Sequence, residues 1–307
     1  MPPDSIGSYQ GVGQDIAIRN PTPTVTRRPH AGWLVIALVG AAQVLSSVVV
    51  NACVFHGRIG ALLGDLHAAT GGLVHPNLVA NLVPLLLVVG VVIFAVGRVK
   101  PADIGWARSK LVPALIVTLA FWALSQVVLV VIAASGENGI ALDQSWRLGA
   151  GAVIGALLGQ LFGNALAEET VFRGFLFTQL YYKFGQRLGR VRALVIAALV
   201  SQVAFAVVHL PNRLLVKGVP GSELLGDRIQ LVVMGLVFLA IYAVTRNLFI
   251  AVGLHALANV PASVIQTSNS TAASVWLALT VALIVLWIPA RQLLRRRTVD
   301  QPPAANS

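Results

Sequence analysis

Long apolar runs recur along the chain, and they limit how it can fold more than any other feature. Most of them reach the ~20 residues that a helix needs to cross the hydrocarbon core of a bilayer. Only helices satisfy their own backbone hydrogen bonds in lipid, and the alternation typical of a membrane β-barrel is absent. The sequence therefore predicts an all-α, polytopic membrane helix bundle of about eight transmembrane helices. The predicted spans are Trp33–Phe55, Leu78–Val99, Leu111–Ala134, a fourth from Leu148 into the helix carrying Glu168, Val191–Leu210, Ile229–Thr245, Leu248–Gln266 and Ala273–Ala290.

The composition excludes a soluble globular protein. Of the 307 residues, 57% are hydrophobic and 11% are charged, whereas charged residues make up about 25% of soluble domains. The net charge of +11 would fit nucleic-acid binding, but the basic residues cluster where apolar runs end. That placement is typical of the charge bias that orients membrane proteins and of contact with anionic lipids. We therefore expect the lipid bilayer, and no nucleic acid, as a partner.

Charge bias also predicts the orientation. Basic residues are concentrated in residues 19–28, 98–110, 183–192 and 291–297, which precede, separate or follow alternate spans. The positive-inside rule then places both termini in the cytoplasm of a bacterial-type plasma membrane. The loop Pro211–Arg228 fits this assignment least well, because it carries three basic residues on the other side.

The chain divides into four regions by composition. Residues 1–32 are polar and proline-rich, so we expect a disordered cytoplasmic arm. Residues 33–147 hold the first three spans, residues 148–290 hold the remaining spans, and residues 291–307 form a basic cytoplasmic tail. The lone Cys53 excludes an internal disulfide and a cysteine-based metal cluster.

Two adjacent acids lie inside an apolar run, which is where ionisable groups mark function. Glu168 and Glu169 are the only two of the eleven acidic residues in such a position. Residues four apart share one helix face, so Arg173 is placed to neutralise and orient Glu169. Glu168 has no partner four residues on and is the candidate general base. Two carboxylates in one site can take different roles when their surroundings differ.

Two histidines also lie within or at the end of apolar runs. Phe205 precedes His209 by four residues, so its ring can pack beside the imidazole. Asn259 follows His255 by four residues and offers a second hydrogen-bond donor to a developing oxyanion. Together with Glu168 these side chains predict one shared site in an intramembrane polar cavity. Further polar residues suited to a wetted cavity are Gln160, Asn164 and Gln202.

Three signatures therefore occur in order on separate predicted helices: Glu-Glu-x-x-x-Arg from Glu168 to Arg173, Phe-x-x-x-His from Phe205 to His209, and His-x-x-x-Asn from His255 to Asn259. In these signatures the chain resembles the CPBP family of CAAX prenyl proteases and bacteriocin-processing or immunity (ABI) proteins, which includes the Ras-converting type II CAAX endopeptidase. The resemblance covers about Leu148 to Ser268, so residues 148–290 are the expected protease core. The signatures His-Glu-x-x-His, Gly-x-Ser-x-Gly and Gly-x-Gly-Asp of other intramembrane or metal-dependent proteases are absent.

The resemblance implies an intramembrane endopeptidase. Glu168 and His209 would polarise a water molecule, and Arg173 would hold Glu169. His255 and Asn259 would stabilise the tetrahedral oxyanion. The substrate would be a peptide or a membrane-tethered protein. Prenylation of that substrate is not carried over, because many bacterial members have no known prenylated substrate.

Two alternatives stay open at this point. Glu168, His209 and His255 would also supply a zinc site with an open position for water, and family members are commonly labelled metalloproteases. We favour a water activated by Glu168 without an obligatory metal, since that arrangement also gives Asn259 a role. The second alternative is a non-catalytic transporter, or a bacteriocin-immunity or interaction protein, that uses the same buried polar cluster.

Overall fold

The structure is a computed structural model that describes residues 31–55, 57–136 and 140–299, with only the backbone described for residues 148 and 291–299. Residues 1–30 of the predicted arm lie outside the described residues, as does the end of the predicted tail from residue 300. The side chains of the basic cluster at 291–297 are likewise not described. The last helix continues to Val299, into the region predicted as a tail.

Within this part of the chain we distinguish nine helices and no β-strand. All except α2 and α8 belong to segments long and apolar enough to cross a membrane, so the protein is a polytopic helix bundle, as predicted. The helices are α1 Trp33–Val54, α2 Gly57–Ala69, α3 Pro76–Val96, α4 Leu111–Ser135, α5 Ala150–Leu188, α6 Arg190–Val216, α7 Leu224–Thr245, α8 Leu248–Asn259 and α9 Asn269–Val299.

Among the described residues seven helices, and not eight, are long enough to span, and the difference lies in the predicted seventh span. Helix α8 has only 12 residues, about 18 Å of helix against the ~30 Å of a bilayer core. The helix ends because Val260 leaves helical geometry (φ −135°, ψ 89°), Pro261 lacks a backbone N–H and Ala262 adopts a left-handed φ of 47°. Apolar composition extends to Gln266, but the helix does not.

The chain after α8 still follows α4 along its length. The Asn247 side chain donates to the Lys110 carbonyl at 2.9 Å, where both helices begin. Further on, the Trp122 indole donates to the Ala262 carbonyl at 3.3 Å. The backbone N–H of Gln266 donates to the Ala141 carbonyl at 2.8 Å, beyond the end of α4. A short helix and an extended segment thus cover the distance for which the sequence predicts one helix.

The two ends of the bundle differ in composition. We call one end the basic end, because the basic residues of segments 98–110 and 183–192 lie there. At this end the backbone amide of Ala31 donates to the Gln179 side chain at 2.9 Å, and the Lys183 ammonium lies 4.9 Å from the Trp33 ring centroid. The Asn247–Lys110 contact lies at this same end. At the opposite end, Asn212 donates to Asn51 at 2.8 Å, and the Asp143 amide donates to the Val264 carbonyl at 2.9 Å.

The surface and the interior both suit a lipid environment. Large apolar side chains such as Leu34, Leu86 and Leu286 are more than three-fifths exposed, as expected for a surface that faces acyl chains rather than water. Inside, one apolar cluster surrounds Phe172, Phe175 and Phe205, and a second surrounds Phe238, Leu254 and Trp276. The polar site lies between these two clusters.

Helix α5 departs from α geometry where it carries the site. Residues Gln160–Asn164 and Glu169–Phe177 form π-helical segments. Similar segments occur in α1, α3 and α6, so this geometry does not by itself mark the site. Gly174 lies within the second segment, where a Cβ atom would come 2.5 Å from the Ile104 carbonyl oxygen. The glycine thus allows close backbone approach, and its neighbour is the 3₁₀ turn Pro101–Ile104.

Candidate active site

The acidic pair lies deep in the bundle, on α5. Glu169 and Arg173 are fully buried, and Glu168 is 8% exposed. Burying an ionised group is unfavourable by several kcal/mol per ion unless it is paired. The partners of each carboxylate therefore decide what this site can do.

Glu169 and Arg173 form the ion pair that their spacing predicts. The Arg173 Nη1 atom lies 3.0 Å from Glu169 Oε1, and Nη2 donates to the Gly235 carbonyl of α7 at 3.0 Å. The guanidinium also lies over the Phe205 ring, 4.5 Å from its centroid. Arg173 thus ties α5 to α6 and α7 and neutralises Glu169.

Glu169 has a second partner, which the sequence does not predict. His255 Nδ1, on α8, lies 2.8 Å from the same Oε1 atom. Because that oxygen also faces the Arg173 cation, it is a carboxylate acceptor, and Nδ1 is the protonated donor. Glu169 therefore fixes the tautomer and the direction of the His255 ring, as carboxylates behind catalytic or metal-bound histidines do.

Glu168 lies between the two histidines. Its Oε1 is 3.3 Å from His209 Nε2, and its Oε2 is 3.6 Å from His255 Nε2. The structure thus brings together Glu168, His209 and His255 from α5, α6 and α8, as predicted. These distances are long for charge-assisted hydrogen bonds, which are usually about 2.7–2.9 Å.

The proton positions follow from the partners of the two Nδ1 atoms. His209 Nδ1 lies 2.7 Å from the Phe205 carbonyl oxygen, which can only accept, so this nitrogen carries a hydrogen. His255 Nδ1 also carries one, because it faces Glu169. In the neutral imidazoles both Nε2 atoms are therefore acceptors, and both face the Glu168 carboxylate. The Glu168 carboxylate and the two Nε2 atoms are thus all hydrogen-bond acceptors. They can be connected only by a hydrogen-bond donor, such as a water molecule, or by protonation of one imidazole.

Aromatic rings hold the imidazoles in place. The Phe205 centroid lies 4.6 Å from that of His209, as the four-residue spacing predicts. Phe238 of α7 stacks on His255, with 4.2 Å between centroids and an interplanar angle of 15°. The sequence gives no signal for Phe238, because it is an aromatic in an apolar run without a motif around it.

Asn259 lies one turn beyond His255, towards the opposite end of the bundle. Its Nδ2 donates to Gln160 Oε1 at 3.0 Å, and Asn164 Nδ2 donates to the same oxygen at 3.3 Å. Gln160 and Asn164 thus join the site's polar network, as predicted. Gln202 instead lies near Arg173, where its Nε2 donates to Ser201 at 2.8 Å.

Two histidines and a carboxylate are also a donor set for zinc. A zinc site of two histidines and a carboxylate needs each ligand atom about 2.0–2.2 Å from one ion. Bonds of that length put the ligand atoms of a tetrahedral ion about 3.3–3.6 Å apart, and the Nε2 atoms of His209 and His255 lie 3.3 and 3.6 Å from Glu168 oxygens. The buried Oε2 atoms of Glu168 and Glu169 do lack a hydrogen-bond partner in the protein. The placement of Glu168, His209 and His255 is thus compatible with a metal ion as well as with a water molecule.

Comparison with known proteins identifies one matching family. Residues 150–261 match the family model of type II CAAX prenyl endopeptidases, described as Rce1-like. The match contains Glu168, Glu169, Arg173, His209, His255 and Asn259. It leaves the first three spans and the last span outside. No curated protein and no solved structure matches the chain.

Proposed function

Because residues 150–261 form an Rce1-like type II CAAX prenyl endopeptidase domain of the CPBP type, we propose that the protein hydrolyses a peptide bond with a water molecule activated by Glu168 and His209. The observation that carries the proposal is the convergence of Glu168 with two Nε2 atoms, at 3.3 and 3.6 Å. Each imidazole is held by a separate acceptor at Nδ1.

The water molecule supplies the missing hydrogen-bond donor. One of its O–H groups donates to Glu168 and the other to His209 Nε2, which leaves an oxygen lone pair directed at the substrate carbonyl. As the oxygen attacks, Glu168 takes the proton. General-base catalysis of this kind typically contributes about 10²–10⁴-fold.

His255 and Asn259 stabilise the tetrahedral oxyanion. His255 takes a proton from solvent at Nε2 before the substrate binds and keeps it throughout the cycle. From this nitrogen it donates a hydrogen bond to the oxyanion, and the carboxylate of Glu169 behind Nδ1 stabilises the imidazolium. Asn259 supplies a second N–H, since only one of its two amide hydrogens is used on Gln160. Removing one such oxyanion donor typically lowers kcat about 10²–10³-fold.

The reaction ends when the carbon–nitrogen bond breaks. Glu168 returns its proton to the departing nitrogen, so that one product has a new carboxylate terminus and the other a new amine terminus. Glu168 is then ready to accept a proton from the next water molecule. The proposed cycle uses only this chain's residues and water.

The substrate is a peptide or a membrane-tethered protein, since the site lies within the bundle. The substrate class is open beyond that: a peptide pheromone, a bacteriocin leader and a segment of a membrane protein all fit. A prenyl group is not part of the proposal.

Comparing protein termini in membranes tests this function without a known substrate. Membranes containing the wild-type protein are compared with membranes containing Glu168→Gln at equal amounts, and new termini are identified by mass spectrometry. We expect termini near membrane spans that occur only with the wild type. Growth in H₂¹⁸O should place solvent oxygen in the new carboxylates. Identical termini in both samples would favour the non-catalytic alternative.

A further inference from the structure

A cavity of about 440 Å³ lies at the opposite end of the bundle, next to the site. It is bounded by α2, the start of α3, the loop before α5, the first turns of α5, residues 260–263 and the start of α9. Asn259 lines it and also donates to Gln160. The cavity and the polar network of the proposed active site therefore share Asn259.

An irregular backbone segment forms one wall of this cavity. Residues Val260–Ser263 line it, and the indoles of Trp122 and Trp146 hold the carbonyls of Ala262 and Ser263 at 3.3 and 2.8 Å. In the described part of the chain, the amides of Ala262 and Ser263 have no protein acceptor. Free backbone N–H groups in a cavity wall can donate to the carbonyls of a peptide that lies along it.

The basic end of the bundle is closed to such a peptide. The 3₁₀ turn Pro101–Ile104 packs against Gly174, and Ile104 is fully buried. The Trp106 indole donates to Thr170 Oγ1 at 2.9 Å, directly beside Glu169. Described residues thus cover the catalytic carboxylates from this side, and the cavity beside Asn259 lies at the other end.

Lining residues indicate which peptides suit the cavity. Among the described residues, Asp143 is the one acidic side chain that lines it, and neither Lys nor Arg does. Burial lowers the pKa of His75, and His67 lowers it further, so His75 is neutral at pH 7. The hydroxyl and amide groups of Ser145, Thr267 and Asn259 complete a polar lining.

We propose that this cavity binds the substrate as an extended, neutral or basic peptide segment along Val260–Ser263, so that the peptide reaches Glu168 from the end opposite the basic loops. The inference rests on the proposed function. Asn259 lies about 6 Å along α8 from His255, and extended chain advances about 3.3 Å per residue. The bound segment therefore begins roughly two residues from the cleaved bond. By the charge bias it belongs to the non-cytoplasmic face.

Neighbouring residues at the start of α9 provide a matched pair of test positions. Ala272 lines the cavity, whereas Ala273 is exposed and does not line it. In a Cys53→Ala background, Ala272→Cys and Ala273→Cys are each treated with a charged, membrane-impermeant methanethiosulfonate after folding. Modification at Ala272 should lower cleavage of a reporter at least about tenfold, reversibly with a reductant. Modification at Ala273 should leave cleavage within about twofold.

A binding readout separates this proposal from the proposed chemistry. In the Glu168→Gln background, the uncleaved reporter peptide should slow the labelling of Ala272→Cys at least about threefold and leave Ala273→Cys unchanged. The reagent should reach Ala272→Cys from the face opposite the one that exposes Arg187→Cys. Equal labelling with and without peptide would overturn the proposed cavity even if cleavage depends on Glu168. Cleavage that does not depend on Glu168 would overturn the proposed function instead.

Discussion

His255 Nδ1 lies 2.8 Å from the Glu169 oxygen that also faces Arg173 at 3.0 Å. One carboxylate thus joins a catalytic candidate to a fully buried cation. This relationship gives Glu169 two roles, stabilising the bundle and orienting the imidazole, and substitutions should separate them.

We expect Arg173→Met to lower protein yield, because it leaves a buried carboxylate without its cation, a change that typically destabilises by about 3–5 kcal/mol. The double change Glu169→Gln with Arg173→Met should recover yield. Activity should stay low in the double variant, because His255 has lost the carboxylate behind Nδ1. Yield and cleavage of a membrane-tethered reporter are measured for both single variants and the double variant. Additive losses of yield would show that the two residues are not coupled.

Phe238 should act as a positioning residue for His255. Phe238→Leu removes the ring that stacks on the imidazole at 4.2 Å, and we expect at least about a tenfold fall in kcat with little change in KM. Phe121→Leu is the matched control, since Phe121 is buried in the same apolar cluster and packs on Trp276. Both changes should lower the unfolding temperature by similar amounts. Equal kcat values in the two variants would mean that Phe238 only fills the core.

Both termini should be cytoplasmic. Helix α8 and the extended segment after it together run along α4 from end to end, so the seven spanning helices do not by themselves place the termini on opposite faces. Single cysteines at Ser5 and Ala304, in a Cys53→Ala background, are labelled with an impermeant thiol reagent in sealed vesicles of known orientation. Both should react from the cytoplasmic face. Labelling from opposite faces would mean that residues 248–268 do not cross.

Activity should not require a metal. Purified protein that cleaves the reporter should contain well under about 0.5 zinc per chain, since a functional zinc site requires one ion per site. A strong chelator should leave its rate unchanged. Zinc content and rate are measured on the same preparation before and after chelation. One zinc per chain, with activity lost on chelation and restored by zinc, would assign Glu168, His209 and His255 as ligands instead.

Sequence alone predicts the contacts that helix geometry fixes. The pairs Glu169–Arg173 and Phe205–His209 lie four residues apart on one helix, so their contacts follow from the helical repeat. The contact between Glu169 and His255 joins residues 86 positions apart, and it depends on how α5 and α8 pack. No local pattern encodes that packing, which is why the second partner of Glu169 and the ring of Phe238 emerge only from the structure.

The same distinction explains the seventh predicted span. Hydropathy shows that Leu248–Gln266 is apolar. It does not distinguish a helix from a non-helical segment whose carbonyls accept hydrogen bonds from tryptophan indoles. Pro261 is the one local signal of the change, because its missing N–H ends the helix ladder. The π-helical segment that carries Glu169 has no such signal.

The rate of the Glu168→Gln variant tests the central claim most directly. Cleavage of a membrane-tethered reporter is measured for this variant, for the wild type and for Glu223→Gln, a control at an exposed acid outside the site, at equal amounts of folded protein. We predict that Glu168→Gln loses at least about 10³-fold in rate, since it removes the base that generates the nucleophile, while Glu223→Gln stays near the wild type. A Glu168→Gln rate within about threefold of the wild type would contradict the proposed mechanism.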